Sequence, residues 1–279
     1  MKKAFTLIEL VVAVALLAMV FAFAGTIFKV SINAYRTSVA NAEIMQKLRA
    51  ITDQLNADFQ GFRKDAPAVV AFHATGSDPK DIRSDRILFF SDGDFQSTRQ
   101  YKGKTVVGNV ARIYYGQSAK PDPNTTEDFR EVILARRLQI LTADGTLADT
   151  DPNDPKDFNE YTKKSLSEWK LVEIPPDLDA LSDWIGRPDV HIDLDDPNRM
   201  EKIMPAFMAK GVHNFKIQLM ENIVAGSLVW WPDNQEVMIR SPYGGTGYPP
   251  AFKFTFTLYD SKGVIKNGRT FTHIVYLGE

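Results

Sequence analysis

An apolar run from Phe5 to Phe28, broken mainly by Thr6, Glu9 and Thr26, restricts this chain more than any other feature. As a helix it would be about 36 Å long, enough to cross a hydrocarbon core about 30 Å thick with some tilt. Lys2 and Lys3 precede it, so the positive-inside rule keeps the N-terminus in the cytoplasm and sends the remainder across. Glu9 is the anomaly. A carboxylate within a spanning segment costs about 2.5–3.5 kcal/mol on insertion scales and needs a partner and a role. One reading is a simple signal anchor that tolerates the Glu. A second is a secretory signal peptide, with Ala22-Phe23-Ala24 before Gly25 as its small-x-small cleavage site. A third gives Glu9 a task, and it rests on the residues around it.

After residue 30 the chain reads as a soluble domain, long enough to bury a substantial core. The formal net charge of −2 lacks the basic excess of a nucleic-acid surface. Cysteine is absent, which removes a disulfide framework, a thiolate metal site and a cysteine nucleophile together.

The helical pattern does not stop at the end of the apolar run. Phe28, Ile32, Tyr35, Val39, Ala42, Met45, Leu48, Ile51, Leu55, Phe59 and Phe62 step by three or four and form one stripe. Lys47, Arg49, Asp53, Gln54, Asn56 and Lys64 lie off it. One helix is predicted from about residue 5 to about 63, ending near Gly61 and Pro67. Strand character follows at Val69–Phe72, Arg86–Ser91, Val106–Gln117, Glu131–Leu141, Trp169–Ile174, Asn214–Glu221, Ser227–Trp231, Glu236–Ile239, Phe252–Tyr259 and Phe271–Leu277. The alternation of Phe252, Phe254 and Phe256 predicts one buried face. Turns are signalled at Asp92-Gly93-Asp94, Lys102-Gly103 and Asp260-Ser261-Lys262-Gly263. Strands against one long N-terminal helix make an α+β fold with a mostly antiparallel sheet. Residues 143–205, rich in Asp, Pro and Asn, read as a long irregular insertion and a partner-facing surface.

Catalytic chemistry is sparse. His73, His191, His213 and His273 are dispersed and form no metal-binding pair, which leaves structural roles. Ser167-Glu168-Trp169-Lys170 matches S-x-x-K without its companion motifs. Gly244-Gly245-Thr246-Gly247 reads as a loop, and Trp230-Trp231 as strand aromatics. Asp149, Asp151, Asn153, Asp157 and Glu160 fall at positions 1, 3, 5, 9 and 12 of a calcium loop. Asp154 stands where that loop needs Gly, and Pro152 and Pro155 stiffen it. No catalytic residue and no other cofactor is expected.

Lys3-Ala4-Phe5-Thr6-Leu7-Ile8-Glu9-Leu10-Val11-Val12-Ala13 resembles the class III signal of type IV prepilins and type II secretion pseudopilins. The resemblance implies prepilin peptidase cleavage between Ala4 and Phe5, an N-methylated Phe5 as mature N-terminus, and Glu9 as the glutamate that pairs with a neighbour's terminal amine. The pair would offset both desolvation costs and set register between subunits. The family usually has Gly where Ala4 stands, which bears on cleavage efficiency. The rest of the chain resembles the minor pseudopilin J family and related minor pilins. The supporting stretches are Leu48 to Asp58 with Ile51 and Leu55, Val110–Tyr115, Val132–Leu138 with Arg136-Arg137, and Gly211-Val212 with Phe215, Ile217 and Leu219. Pro249-Pro250 before paired terminal strands also fits.

The expected organisation is a leader at 1–4, a transmembrane and assembly helix at 5–28, its soluble continuation at 29–66 and a β-rich periplasmic domain at 67–279. The expected function is that of a non-enzymatic minor pseudopilin in the tip or initiation complex of a type II secretion pseudopilus. It would sit in the bacterial inner membrane as a single-pass protein with other pseudopilins as partners, and with neither nucleic acid nor a small-molecule substrate. The alternatives are a minor pilin of a type IV pilus, and a secreted or periplasmic binding protein released from its signal peptide.

Overall fold

The computed structural model describes residues 7–72, 83–117, 132–148, 158–171, 204–224, 227–231, 238–240 and 248–278. Helix α1 spans Leu7–Gln60, a rod about 80 Å long at 1.5 Å per residue. No proline interrupts it, and Gly25 is its sole glycine. The strands among the described residues are β1 Val69–Ala71, β2 Arg86–Tyr101, β3 Lys104–Gln117, β4 Ile133–Leu141, β5 Tyr161–Thr162, β6 Phe207–Lys210, β7 Val212–Val224, β8 Ser227–Trp231, β9 Met238–Arg240, β10 Ala251–Leu258 and β11 Arg269–Tyr276. A short helix, α2, covers Leu166–Leu171.

The fold is α+β with antiparallel pairing throughout, except for the parallel contact of β4 with β5. The strands divide into two sheets. One has the order β5-β4-β3-β2-β1-β9, with β6 also on β4; the other has the order β11-β10-β7-β8. A parallel bridge between Ser84 and Phe215 ties them together. Beside it the Asp85 N–H donates to the Phe215 carbonyl at 2.9 Å, and the Asp85 carboxylate accepts from Ile217 N–H at 2.7 Å and from Arg83 at 2.9 Å.

The main core lies where α1 meets both sheets. Ile44, Ile51, Leu55 and Phe59 pack with Phe72, Ile87, Phe89, Ile113 and Tyr115 of one sheet, and with Phe215, Ile217, Phe252, Phe254 and Phe256 of the other. The phenylalanine alternation in β10 therefore points inward, as the sequence implies. The helical stripe needs correction toward its N-terminal end. Burial begins at Ala40 and continues through Ile44, while Tyr35, Val39 and Met45 are exposed. From Ile51 back to Val39 the expected stripe steps by three at Leu48, Met45 and Ala42, which carries it about 120° around the helix. The buried face continues instead one heptad before Ile51, at Ile44.

Two local expectations also change. Trp169–Ile174 is not a strand: Trp169 lies on α2, and residues 172–174 fall outside the described residues. A capping box explains the helix, because the Glu168 carboxylate accepts the Ser165 N–H and hydroxyl at 2.6 Å while the Glu168 N–H returns to Ser165 Oγ. Trp169 is fully buried against Phe90 and Arg112, so this part of the insertion joins the fold, as does β5. Asp92-Gly93-Asp94 is a register shift inside the long strand β2, not a hairpin turn. The turn falls instead at Lys102-Gly103, where φ is 51° and 76°, both left-handed as a two-residue hairpin requires.

Candidate functional site

No residue of α1 from Leu7 to Val39 is buried. Leu10, Val14, Leu17, Phe21, Ile27 and Phe28 are all more than half exposed, and none of the most apolar window is covered by the rest of the chain. Each such side chain loses about 1.5–3 kcal/mol if it stays in water, so this half of the helix calls for a bilayer or other helices around it. Glu9 lies in the first turn, where a carboxylate also meets the positive end of the helix dipole. Ala4 and Phe5 lie outside the described residues.

From Ala40 onward polar contacts fasten the same helix along its length. Glu43 pairs with Lys47 at 2.8 Å and accepts the Ser261 N–H and hydroxyl at 2.9 and 3.0 Å. Partial burial pushes the Glu43 carboxyl up, but Lys47 and Ser261 outweigh it and hold it below its ordinary value. Lys47 also donates to the Tyr259 carbonyl at 2.8 Å. Further along, Asn56 Oδ1 meets His273 Nε2 of β11 at 2.9 Å.

Asp58 is the deepest of these fasteners, 3% exposed. Its carboxylate receives Arg136 of β4 through two parallel bonds of 2.6 and 2.7 Å, the Tyr115 hydroxyl of β3, and Gln54 Nε2 at 3.0 Å. Ser91 of β2 donates to the Asp58 carbonyl at 2.6 Å. Three strands thus converge on one helical residue. Burial and the neighbouring Asp58 charge push the Tyr115 phenol well above its usual value, so it stays protonated as the donor. Burial works against the Arg136 charge, and the bonds to Asp58 more than restore it.

The helix stops at Gly61, where any Cβ would lie 1.8 Å from the Asp92 carbonyl oxygen. The Asp92 N–H bonds to the Gly61 carbonyl at 2.7 Å and the Arg63 N–H to the Phe90 carbonyl at 2.9 Å. The chain thus leaves α1 directly onto β2. Sequence reading placed Asp58 and Arg136 within matching stretches but gave neither a role. A charged residue in phase with Ile51 and Leu55 was the available signal.

The remaining candidates separate. Of the calcium-loop residues, Glu160 is described and already engaged: its carboxylate accepts Thr98 N–H, the Thr98 hydroxyl and Arg99 N–H at 2.6–3.1 Å. Asp149, Asp151, Asn153 and Asp157 lie outside the described residues, as do His73, His191 and Gly244–Gly247. His213 is buried beside Tyr259, and its pKa is lowered by that burial. Trp231 packs edge-on against Phe72, and the Lys253 ammonium lies 4.7 Å from the Trp230 ring. Among the described residues no three His, Asp or Glu side chains cluster as metal ligands.

The family model for the prokaryotic N-terminal methylation motif matches residues 1–25. That motif is the signature of type IV pilin-like and pseudopilin proteins, and this chain carries it. The apolar helix and the motif together fit a single-pass membrane anchor. No curated protein and no solved structure matches the chain.

Proposed function

We propose that the chain is a minor pseudopilin, a structural subunit that joins the tip or initiation complex of a type II secretion pseudopilus. The observation that carries this reading is continuity. The methylation motif opens a helix that runs without a break from an uncovered apolar half into a seat between two sheets. A secretory signal has no need of that junction. In this reading residues 1–4 are the leader, 5–28 the membrane and assembly helix, 29–66 its soluble continuation, and 67–279 a periplasmic domain. Deleting the gene should abolish export of the secretion system's cargo and leave surface pili intact. Loss of pili with normal export would move the assignment to a type IV pilus minor pilin.

Two further outcomes are expected. Protein from the native membrane should have a mass corresponding to a chain that begins at N-methylated Phe5. A start at Gly25, or an uncleaved Met1, would overturn the assembly reading. Glu9→Leu should insert at least as well as the parent, because an intramembrane carboxylate is removed. The same change should weaken crosslinking between subunits, since a neighbour's terminal amine loses its counter-ion. Undiminished crosslinking with Leu at this position would remove the pairing role.

A further inference from the structure

The sheet edges in this fold are unequal. In the larger sheet β9 has three residues and β5 has two. In the smaller sheet β8 has five, and its pairing with β7 is broken by a register shift. Short or bulged edges are how proteins avoid unwanted strand pairing. β11 is the exception. It has eight residues, no proline and no lysine, and it pairs with β10 without a shift from Ala251↔Tyr276 to Leu258↔Arg269.

The register fixes which backbone groups are free. Leu277 N–H donates to the Pro250 carbonyl at 2.9 Å, so residues 271, 273 and 275 exchange hydrogen bonds with β10. Thr270, Thr272, Ile274 and Tyr276 therefore turn their N–H and C=O groups to the outer edge, where no described strand lies. Along that edge, toward the end of α1, runs a groove of about 630 Å³ lined by Asn56, Ala57, Gln60, Ile274, Tyr276 and Gly278.

We infer that this edge takes up an extended segment of another subunit of the same assembly as a fifth strand. A row of alternating backbone donors and acceptors selects an extended backbone over a helix. The outer face of β11 and β10 carries a threonine ladder, with Thr257–Thr270 at 2.8 Å and Thr255–Thr272 at 3.3 Å, followed by exposed Tyr276. Cross-strand pairing there favours β-branched or aromatic side chains on the incoming strand. Toward α1 the groove presents Asn56, Ala57 and Gln60, which suit small uncharged ones. The inference rests on the proposed role as an assembly subunit.

Because the chain has no cysteine, single cysteines carrying a photo-crosslinker can report on the full-length protein in its native membrane. Probes at Thr272→Cys and Tyr276→Cys should capture another subunit, whereas exposed Val107→Cys on the β2–β3 hairpin should not. Ile274→Pro removes one outward N–H and leaves the β10 pairing intact. It should lower capture by about tenfold, with unchanged membrane level and melting temperature. If Ile274→Pro fails to fold, Thr272→Pro probed at Tyr276→Cys makes the same test. Capture no better than at Val107→Cys, capture untouched by proline, or capture of lipid or of a second copy of this chain would overturn the inference. A probe at Val30→Cys on α1 separates the causes. Capture there with none at β11 removes only the fifth strand, and loss at both removes the assembly role as well.

Discussion

Asp58→Ala should destabilise the domain by about 3 kcal/mol, the low end of the 3–5 kcal/mol expected when one partner of a buried ion pair is removed. The low end applies because the Arg136 side chain remains 20% exposed and can recover some hydration, while that of Asp58 is 3% exposed. The alanine would strand Arg136 and take away the acceptor of the Tyr115 hydroxyl. Asp58→Asn, which keeps an acceptor of the same shape, should cost less. Replacing both charges, as Asp58→Leu with Arg136→Leu, should recover much of the loss, since apolar pairs of similar volume often serve as well as buried ions. Urea unfolding of the domain freed of its membrane segment measures all three. A single alanine change within about 0.5 kcal/mol of the parent, the range of neutral surface substitutions, would mean that Asp58 does not hold the helix in place.

Phe59→Ala should cost about 3–5 kcal/mol and Leu55→Ala about 2–5 kcal/mol, the usual range for large-to-small core changes. Phe59 belongs near the top of its range. Its ring lies 4.3 Å from Phe89, 5.3 Å from Phe252, 5.5 Å from Phe254 and 5.9 Å from Phe62, so the cavity would open between both sheets and the helix. Against a typical total of about 5–15 kcal/mol, either change could leave the domain marginal. Arg49→Ala, on the exposed side, should stay within about 0.5 kcal/mol. Asn56, also off the stripe, is not a neutral position, because its bond to His273 adds up to about 1 kcal/mol. Equal small effects at Phe59 and Arg49 would show that the helix does not pack as described.

What could be read from the sequence was what depends on near neighbours. The methylation motif lies within residues 1–25, and the Phe252, Phe254, Phe256 alternation declares its buried face over five residues. The seat of α1 was hidden because Tyr115 and Arg136 reach Asp58 across 57 and 78 residues of chain. Phase with Ile51 and Leu55 sets that aspartate apart from Asp53, which faces water, but it names neither partner. Trp169 misled for a related reason. Its apolar neighbours suggest a strand, and only the Ser165-x-x-Glu168 spacing shows that a helix starts there. Asp92-Gly93-Asp94 has turn composition, yet β3 continues past it as a partner, so tertiary pairing overrode the local signal.

The fastening of α1 has a mechanical consequence. Tension applied at the membrane end passes up a helix with no buried residue before Ala40. It is then shared among contacts from Ala40 to Gly61, about 30 Å of helix. The Glu43–Ser261 clasp, the Ile51–Phe59 packing, the Asp58 node and the Gly61–Asp92 hydrogen bond carry it side by side. Links arranged in parallel fail together or hardly at all. A subunit drawn out of a bilayer by its helix would bring its globular part along as one body, without unfolding it from the end.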